Sequence, residues 1–536
     1  MLPNIRDYQR LCATFRWQIP DRYNIGVDAC DKWAARERNR LAILVKAANG
    51  APRAVSYGGL RDDSNRLANA LAAHGIGRGD RVAIILPQTP ETAVAHFATY
   101  KLGAIALPLA GLFGVDALVY RLENSAARAA ITNAAGVEKL AQIRDQLPAL
   151  KLVLSIDGPA DGALGLAETT ARASDSFAPV ETGPDDPAMM IFTSGTTGPP
   201  KGALHGHRVL LGHLPGVEFP HEFMPQPGDR MWTPADWAWA GGLLDVLLPA
   251  LSLGVPVVAK AFEKFDPEEA FVLMAEAGVR NAFIPPTALR MLRSAGKPKQ
   301  KLSLRTVGSG GESLGVETYE WGREALGLSI NEFYGQTECN LVLSSCSAIG
   351  ISKSGYIGRS VPGHDVAVIR TDGSLCAPGE VGQIAVKRPD PVMFLEYWKR
   401  PDATRAKFIG DWMTTGDQGE VDDEGYVRFV GRDDDVITSS GYRIGPGEIE
   451  DCLIRHPAVA LAAAVGKPDP LRTEIVKAFV QLKPGFTPSD ALAVEIQMFV
   501  RTRLSAHEYP REVEFVEQMP MTTTGKVIRR LLREKA

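Results

Sequence analysis

Residues 192–207 read FTSGTTGPPKGALHGH, and from Thr193 to Gly202 the stretch sets hydroxyls and glycines beside one lysine, Lys201. The run is too polar for a core strand, and its glycines and prolines exclude a helix interior. It follows AMMIF, a short apolar segment that reads as a buried strand. Loops at the ends of such strands are where α/β proteins hold ligands. Accessible backbone N–H groups and the hydroxyls of the loop suit phosphate oxygens, and Lys201 adds positive charge. The loop is not a Walker A sequence, which ends Gly-Lys-Ser/Thr, because here Lys201 precedes Gly202. Taken alone, a Gly/Thr-rich loop is more often a mobile surface turn than a nucleotide clamp.

Hydrophobic spacing shows the elements that must position this loop. Leu60, Leu67, Ala68 and Leu71 fall at helical intervals, GIGRGD breaks the helix, and RVAIIL reads as a buried strand. PETAVAHFATYKLG is a second helix, opened by Pro90 and closed by Gly103, and AIALPL is the next strand. This alternation implies a parallel sheet with helical crossovers. It returns at GVPVVA, FDPEEAFVLMAEAGV and NAFIPP. After about residue 365 the texture changes. DVAVIR, GQIAVKR and YVRFVGR are short strands separated by the turn signals TDGS and DDEG, which suggests an antiparallel unit. A helix from Glu448 to Arg455, the strand EIVKAFVQL and a helix from Ser489 to Leu504 would complete a small α+β domain. Leu492, Ile496, Phe499 and Leu504 share one face of that last helix.

The chain has 536 residues, enough for several cores, and its 45% apolar and 23% charged residues describe a soluble globular protein. A net charge of −4, from 59 basic and 63 acidic residues, supplies no basic field for nucleic acid. Cys12, Cys30, Cys339, Cys346, Cys376 and Cys452 form no CxxC pair and read as reduced thiols of a cytoplasmic protein. The N-terminal residues lack the apolar core of a signal peptide, and the longest apolar stretches are too short and too broken to span a bilayer. Neither HExxH nor GxSxG occurs, which removes the usual support for zincin and serine-hydrolase chemistry. His205 and His207 have no metal-ligand partner at useful spacing and read as structural or solvent-facing.

Five further segments follow the loop in order: GSGGES (308–313), YGQTE (334–338), TGD (415–417), GRDDDVITSSGYRIGPGEIE (431–450) and TTTGK (522–526). Together with TSGTTGPPKG (193–202) they span most of the chain. In this order they resemble the adenylate-forming superfamily of acyl-CoA synthetases, peptide-synthetase adenylation domains and luciferase-like enzymes. The resemblance implies an α/β fold. A large N-terminal layered αβ domain with a β-barrel-like subdomain would occupy residues 1–432, a hinge 433–435, and a small mobile α+β C-terminal domain 436–536.

The resemblance also implies a reaction. A carboxylate is a poor electrophile, so it is first joined to AMP with loss of pyrophosphate. Both reactants are anions, and fixed positive charge and dipoles should dominate catalysis. ATP, Mg²⁺ and CoA are the implied cofactors and co-substrates. Thr193, Ser194, Gly195, Thr196, Thr197, Gly198 and Lys201 would hold the phosphates. Gly311, Glu312 and Ser313 would line the adenine, with Tyr334 on its ring. Thr337 would contact the α-phosphate and Glu338 would hold Mg²⁺. Asp417 and Arg432 would take the ribose. Lys526 would bridge the substrate carboxylate and the α-phosphate, and Asp434 would be the hinge. Read singly, Asp417 is a turn aspartate, Glu338 a surface carboxylate, and Lys526 to Lys535 a solvated basic tail.

The chain ends soon after Lys526 with no fused carrier domain, so an external thiol is the expected acceptor. SSGYRI (439–444) resembles the acyl-CoA synthetase form, in which the glycine, here Gly441, lies beside the pantetheine tunnel. Trp239, Ala240 and Leu244 of WTPADWAWAGGLLDVLL, with Gly335, would form the acyl pocket. Acetate-specific members carry tryptophan at the position of Gly335. The expected substrate is therefore a short- to medium-chain or branched fatty acid. An aryl acid such as benzoate, or loading of a separate carrier protein, is the alternative. Pro520 in PMTTTGK resembles the context in which bacterial acyl-CoA synthetases are silenced by lysine acetylation, implying an acetyltransferase and a deacetylase acting on Lys526.

Overall fold

The computed structural model describes every residue except 47–51, 194–198, 434, 440–441, 470–471, 505–508 and 523–525. The chain forms two compact units. The first comprises residues 1–354, 358–365 and 388–406, and the second 355–357, 366–387 and 407–536.

The first unit is built on two sheets. Among the described residues, one sheet has eight strands and the other nine. The alternation read from the sequence appears as helix Tyr57–Ala73, strand Arg81–Ile85, helix Pro90–Lys101 and strand Ile105–Pro108. Ser56 caps the first helix by accepting from the Gly59 N–H, and Pro90 opens the second. The strands pair in parallel, as short crossovers through a helix require. After Arg81, strand Arg81–Ile85 is apolar because both of its faces are covered. Val82 and Ile84 enter one core, and Ala83 and Ile85 another, by the two-residue period of a strand. The first of these cores joins the two sheets: Ile84 and Ala106 come from the eight-stranded sheet, Ile43 and Phe283 from the nine-stranded one, and helices 57–73 and 90–101 lie among them.

The AMMIF strand is Pro187–Thr193. It runs parallel to Ile105–Pro108 on one side and antiparallel to Lys201–Gly206 on the other. Four strands at the other sheet's site end follow from the later motifs: Asn281–Phe283, Thr306–Gly310 and Ile330–Gln336 in parallel, then Cys339–Ser344 antiparallel to the last.

In the second unit, Val366–Ile369, Gly382–Lys387, Phe408–Ile409, Trp412–Val421 and Val427–Arg432 form an antiparallel sheet. Strand Trp412–Val421 was not read from the sequence; its TGDQG core carries turn residues in place of β-branched ones. A further sheet carries Val459–Asp469 and Thr473–Leu482, covered by helices Pro446–Ile454 and Asp490–Arg503. Ser489 caps the latter helix through the Leu492 N–H, and Ile496 and Val500 are its fully buried residues. The expected hinge at 433–435 falls within this second unit, and Asp434 itself lies outside the described residues.

Candidate active site

In the first unit the phosphate-loop flanks face each other. Thr193 and Lys201 are paired in the ladder, and the Thr193 hydroxyl donates to the Lys201 carbonyl at 3.4 Å. Ser194, Gly195, Thr196, Thr197 and Gly198 lie outside the described residues.

YGQTE forms a β-hairpin. Gln336 pairs with Cys339, so Thr337 and Glu338 are its two-residue tip. Glu338 is no surface carboxylate: it is only 6% exposed. The segment after Pro391 holds it. The Phe394 N–H donates to the Glu338 carbonyl at 2.8 Å, and the Tyr397 hydroxyl donates to Glu338 Oε1. The same segment runs along the strand leaving the phosphate loop, through Leu395 N–H to Leu204 O and Trp398 N–H to Gly202 O, both at 2.7 Å. Lys201 Nζ stands 5.1 Å from the centre of the Tyr397 ring, within cation–π range. One tyrosine thus joins the cation expected on the phosphates to the carboxylate expected on the metal. Tyr397 was missed in the sequence. Its only signal was the aromatic cluster FLEYW, whose use depends on pairing with a strand almost two hundred residues earlier.

His205, on the same strand, is buried beside the Thr337 main chain, and burial lowers its pKa to about 3. His207 is also buried, accepts at Nδ1 from the Ile25 N–H, and is lowered to about 4. Both are structural and neither faces solvent.

The adenine segment follows strand Thr306–Gly310, next to Ile330–Gln336. Gly311 has φ +91°, a conformation that glycine adopts without strain. The Glu312 carboxylate is occupied by helix Pro286–Ala295: Thr287 Oγ1 donates at 2.9 Å and Arg290 Nη2 at 2.7 Å. Ser313 is exposed, and Tyr334 is half-buried on the adjacent strand. All four lie at the carboxyl ends of parallel strands, where open α/β sheets bind ligands.

The acyl-pocket residues divide. Trp239 is half-buried and meets Phe113 edge-on at 5.5 Å, Ala240 is half-buried, and Leu244 is fully enclosed in the core. Gly335 lies where its strand crosses a bulge against Cys339–Ser344. A Cβ there would sit 2.3 Å from the Leu341 nitrogen and 2.6 Å from Asn340 Cα. Glycine is therefore required by the hairpin's own backbone, whatever space it leaves for an acyl chain.

In the second unit Asp417 is a strand residue, not a turn aspartate. It is paired in register with Arg432 and is 5% exposed. Arg432 Nη1 is 3.1 Å from Asp417 Oδ1, and the Asp417 N–H donates to Thr415 Oγ1 at 3.1 Å. The two residues expected on the ribose are thus brought together. Lys526 is exposed, and its backbone is bonded to Thr522: its N–H donates to Thr522 Oγ1 at 3.0 Å and its carbonyl accepts from the Thr522 N–H at 2.7 Å. The basic tail is more than a solvated face. Arg529 pairs with Glu450 at 2.6 Å, and Arg533 with Asp435 at 3.0 Å. Gly441, like Asp434, is outside the described residues.

Residues 30–398 match the AMP-binding enzyme family, and residues 448–526 match the AMP-binding enzyme C-terminal domain. The chain is 34% identical to acetyl-coenzyme A synthetase of Bacillus subtilis, covering 99% of this chain and 95% of that protein. It is 35% identical to human mitochondrial acyl-coenzyme A synthetase ACSM2B, over 98% and 93%. The crystal structure of the anthranilate CoA ligase AuaEII in complex with anthranoyl-AMP superposes with a TM-score of 0.88 at 27% identity, over 96% of this chain and 98% of that one. With the motifs in order on this fold, the chain belongs to the AMP-binding enzyme family, among its adenylate-forming acyl-CoA synthetases.

Proposed function

We propose that this acyl-CoA synthetase activates a carboxylic acid larger than acetate, a short- to medium-chain or branched fatty acid. A carboxylate oxygen attacks the α-phosphorus of ATP, the bond to the β-phosphate oxygen breaks, and pyrophosphate leaves. The CoA sulfur then attacks the acyl carbon, the bond to AMP breaks, and the thiol proton is released. The observation that supports this reading most directly is the meeting of Lys201 and Glu338 on Tyr397. Phosphoryl chemistry needs a cation and a metal-binding carboxylate held in fixed relation, because misplaced charges stabilise no transition state.

In this reading Thr193, Lys201 and the loop between them hold the phosphates, and Thr337 contacts the α-phosphate. Glu338 would hold Mg²⁺. Tyr397 occupies Oε1, and Oε2 makes no hydrogen bond among the described residues. Mg²⁺ supplies charge neutralisation at the phosphates. Gly311, Glu312, Ser313 and Tyr334 take the adenine, Asp417 and Arg432 the ribose, and Gly441 the CoA thiol. Lys526 serves the adenylation step, and Asp434 is the pivot between residues 1–432 and 436–536. The exposure of Lys526 also fits control by an acetyltransferase and a deacetylase, since acetylation removes the charge that adenylation needs. A cytoplasmic location accords with six free cysteines. No helix among the described residues is long and apolar enough to cross a membrane.

An aryl acid is the second reading, favoured by the likeness to the anthranilate CoA ligase. AMP release with CoA, measured over acids from acetate to decanoate and with benzoate, separates the two. A maximum beyond acetate is expected among the alkanoates; a maximum at acetate refutes the proposal.

A further inference from the structure

Asp245 is the one acidic residue of the apolar stretch GGLLDVLLPALSLG. It sits on the π-helical turn Leu243–Leu247, a local form frequent at functional sites. Its neighbours Leu243, Leu244, Val246 and Leu247 are all 0% exposed, and Asp245 itself is 4% exposed. The Asn340 side-chain amide donates to Asp245 Oδ1. Among the described residues, Oδ2 has no hydrogen-bond partner. Oδ2 lies on the side of Gly241, whose missing side chain lets the Phe283 ring pack close: a Cβ there would stand 2.8 Å from that ring and 3.6 Å from Oδ2. Asn340 in turn backs onto Gly335, with its Oδ1 2.6 Å from where a Cβ of that glycine would be. The carboxyl therefore stands between the two segments assigned to the acyl pocket, beside an aromatic wall. Setting a carboxyl among leucines and a valine with only Oδ1 bonded to protein is costly, and packing alone would favour another leucine or valine.

We propose that Asp245 is a specificity-determining residue, selecting acids that carry a hydroxyl group remote from the carboxylate and binding that hydroxyl through Oδ2. This rests on the acyl-CoA synthetase reading of the site. Burial raises the Asp245 carboxyl well above its usual 3.8 and so favours the protonated form, in which Oδ2–H donates to the hydroxyl oxygen. The same hydroxyl can donate to the ionised form, so one substituent satisfies either state. An unsubstituted alkyl or phenyl group leaves Oδ2 unpaired. Sites built to bond a hydroxyl reject the analogue lacking it far more strongly than apolar pockets reject a missing methylene.

The test is ATP–pyrophosphate exchange on matched acids: hexanoate with 6-hydroxyhexanoate, and benzoate with 2-, 3- and 4-hydroxybenzoate. It uses the full chain as wild type, Asp245→Leu and Asp245→Asn. Wild type should prefer the hydroxylated acid in at least one pair by about tenfold or more in kcat/KM. Asp245→Leu should reverse that preference within the pair. Asp245→Asn, close to aspartate in shape, should weaken it and decides the matter if the leucine variant does not fold. Equal kcat/KM within every pair, or a preference unchanged in the variants, overturns the assignment of Asp245 alone. Absence of exchange on every acid overturns the acyl-CoA synthetase reading, and this assignment with it.

Discussion

Replacing Gly335 by alanine adds one methyl group where the hairpin leaves no room. The new Cβ would stand 2.3 Å from the Leu341 nitrogen, 2.6 Å from Asn340 Cα and 2.6 Å from Asn340 Oδ1. Ordinary contact begins near 3.4 Å, so the two strands must part by about 1 Å. The obstructing atoms are mostly backbone and cannot swing aside as a long side chain would. Overpacking of this kind costs about 1–3 kcal/mol. The displacement falls two residues from Thr337 and three from Glu338, and a shift of about 1 Å at a catalytic group can lower the rate about 10²-fold. Gly335→Trp meets the same backbone before its ring reaches any pocket. The sequence suggested that tryptophan here would narrow the acyl space and favour acetate; the hairpin predicts loss on every acid. ATP–pyrophosphate exchange on acetate, hexanoate and benzoate, with melting temperatures of both variants, decides between them. A tryptophan variant that gains on acetate while losing hexanoate, or an alanine variant with normal rate and stability, would refute the backbone argument.

Tyr397→Phe removes the hydroxyl that holds Glu338 and should cost about 0.5–1.5 kcal/mol, seen as a several-fold higher Mg²⁺ requirement with ATP affinity at saturating Mg²⁺ little changed; an unaltered Mg²⁺ titration contradicts this. Lys526→Ala should abolish ATP–pyrophosphate exchange while leaving CoA thioester formation from supplied acyl-AMP largely intact, and equal loss of both steps would remove Lys526 from the adenylation role. Burial lowers His96, His205 and His221 to about 3, and His207 and His213 to about 4, from an ordinary 6.5. Below pH 6.5 the unfolded chain then binds protons that the folded chain does not, so stability is full above that pH and falls as pH drops toward 4, by about 1.4 kcal/mol per pH unit for each histidine. Urea unfolding of the first unit at pH 7 and pH 5.5 should show this decline, which His207→Asn should lessen; a midpoint independent of pH would show that these histidines are not buried neutral.

The alternation from residue 57 to 108 was legible because each element there carries its own evidence: helical spacing of Leu60, Leu67, Ala68 and Leu71, a proline at Pro90, and short apolar runs. The loop after Thr193 was named from its own residue types, since glycines and prolines state what the local backbone must do, whereas Gly311 and YGQTE were named only from the resemblance. Other features arise only from distant pairing. Tyr397 reaches Glu338 because the 394–398 segment lies along the strand Lys201–Gly206. Asp417 became a strand residue because Val427–Arg432 pairs with it and brings Arg432 to its carboxylate. His205 and His207 carried no sign of burial in their own neighbourhood, and nothing local to Asp245 announces that Asn340 meets it across the core. Gly335 shows the division in a single residue. The sequence announces that it is small, but only the closing of strand Cys339–Ser344 against it decides why, because sterics between strands depend on register and no local signal encodes register.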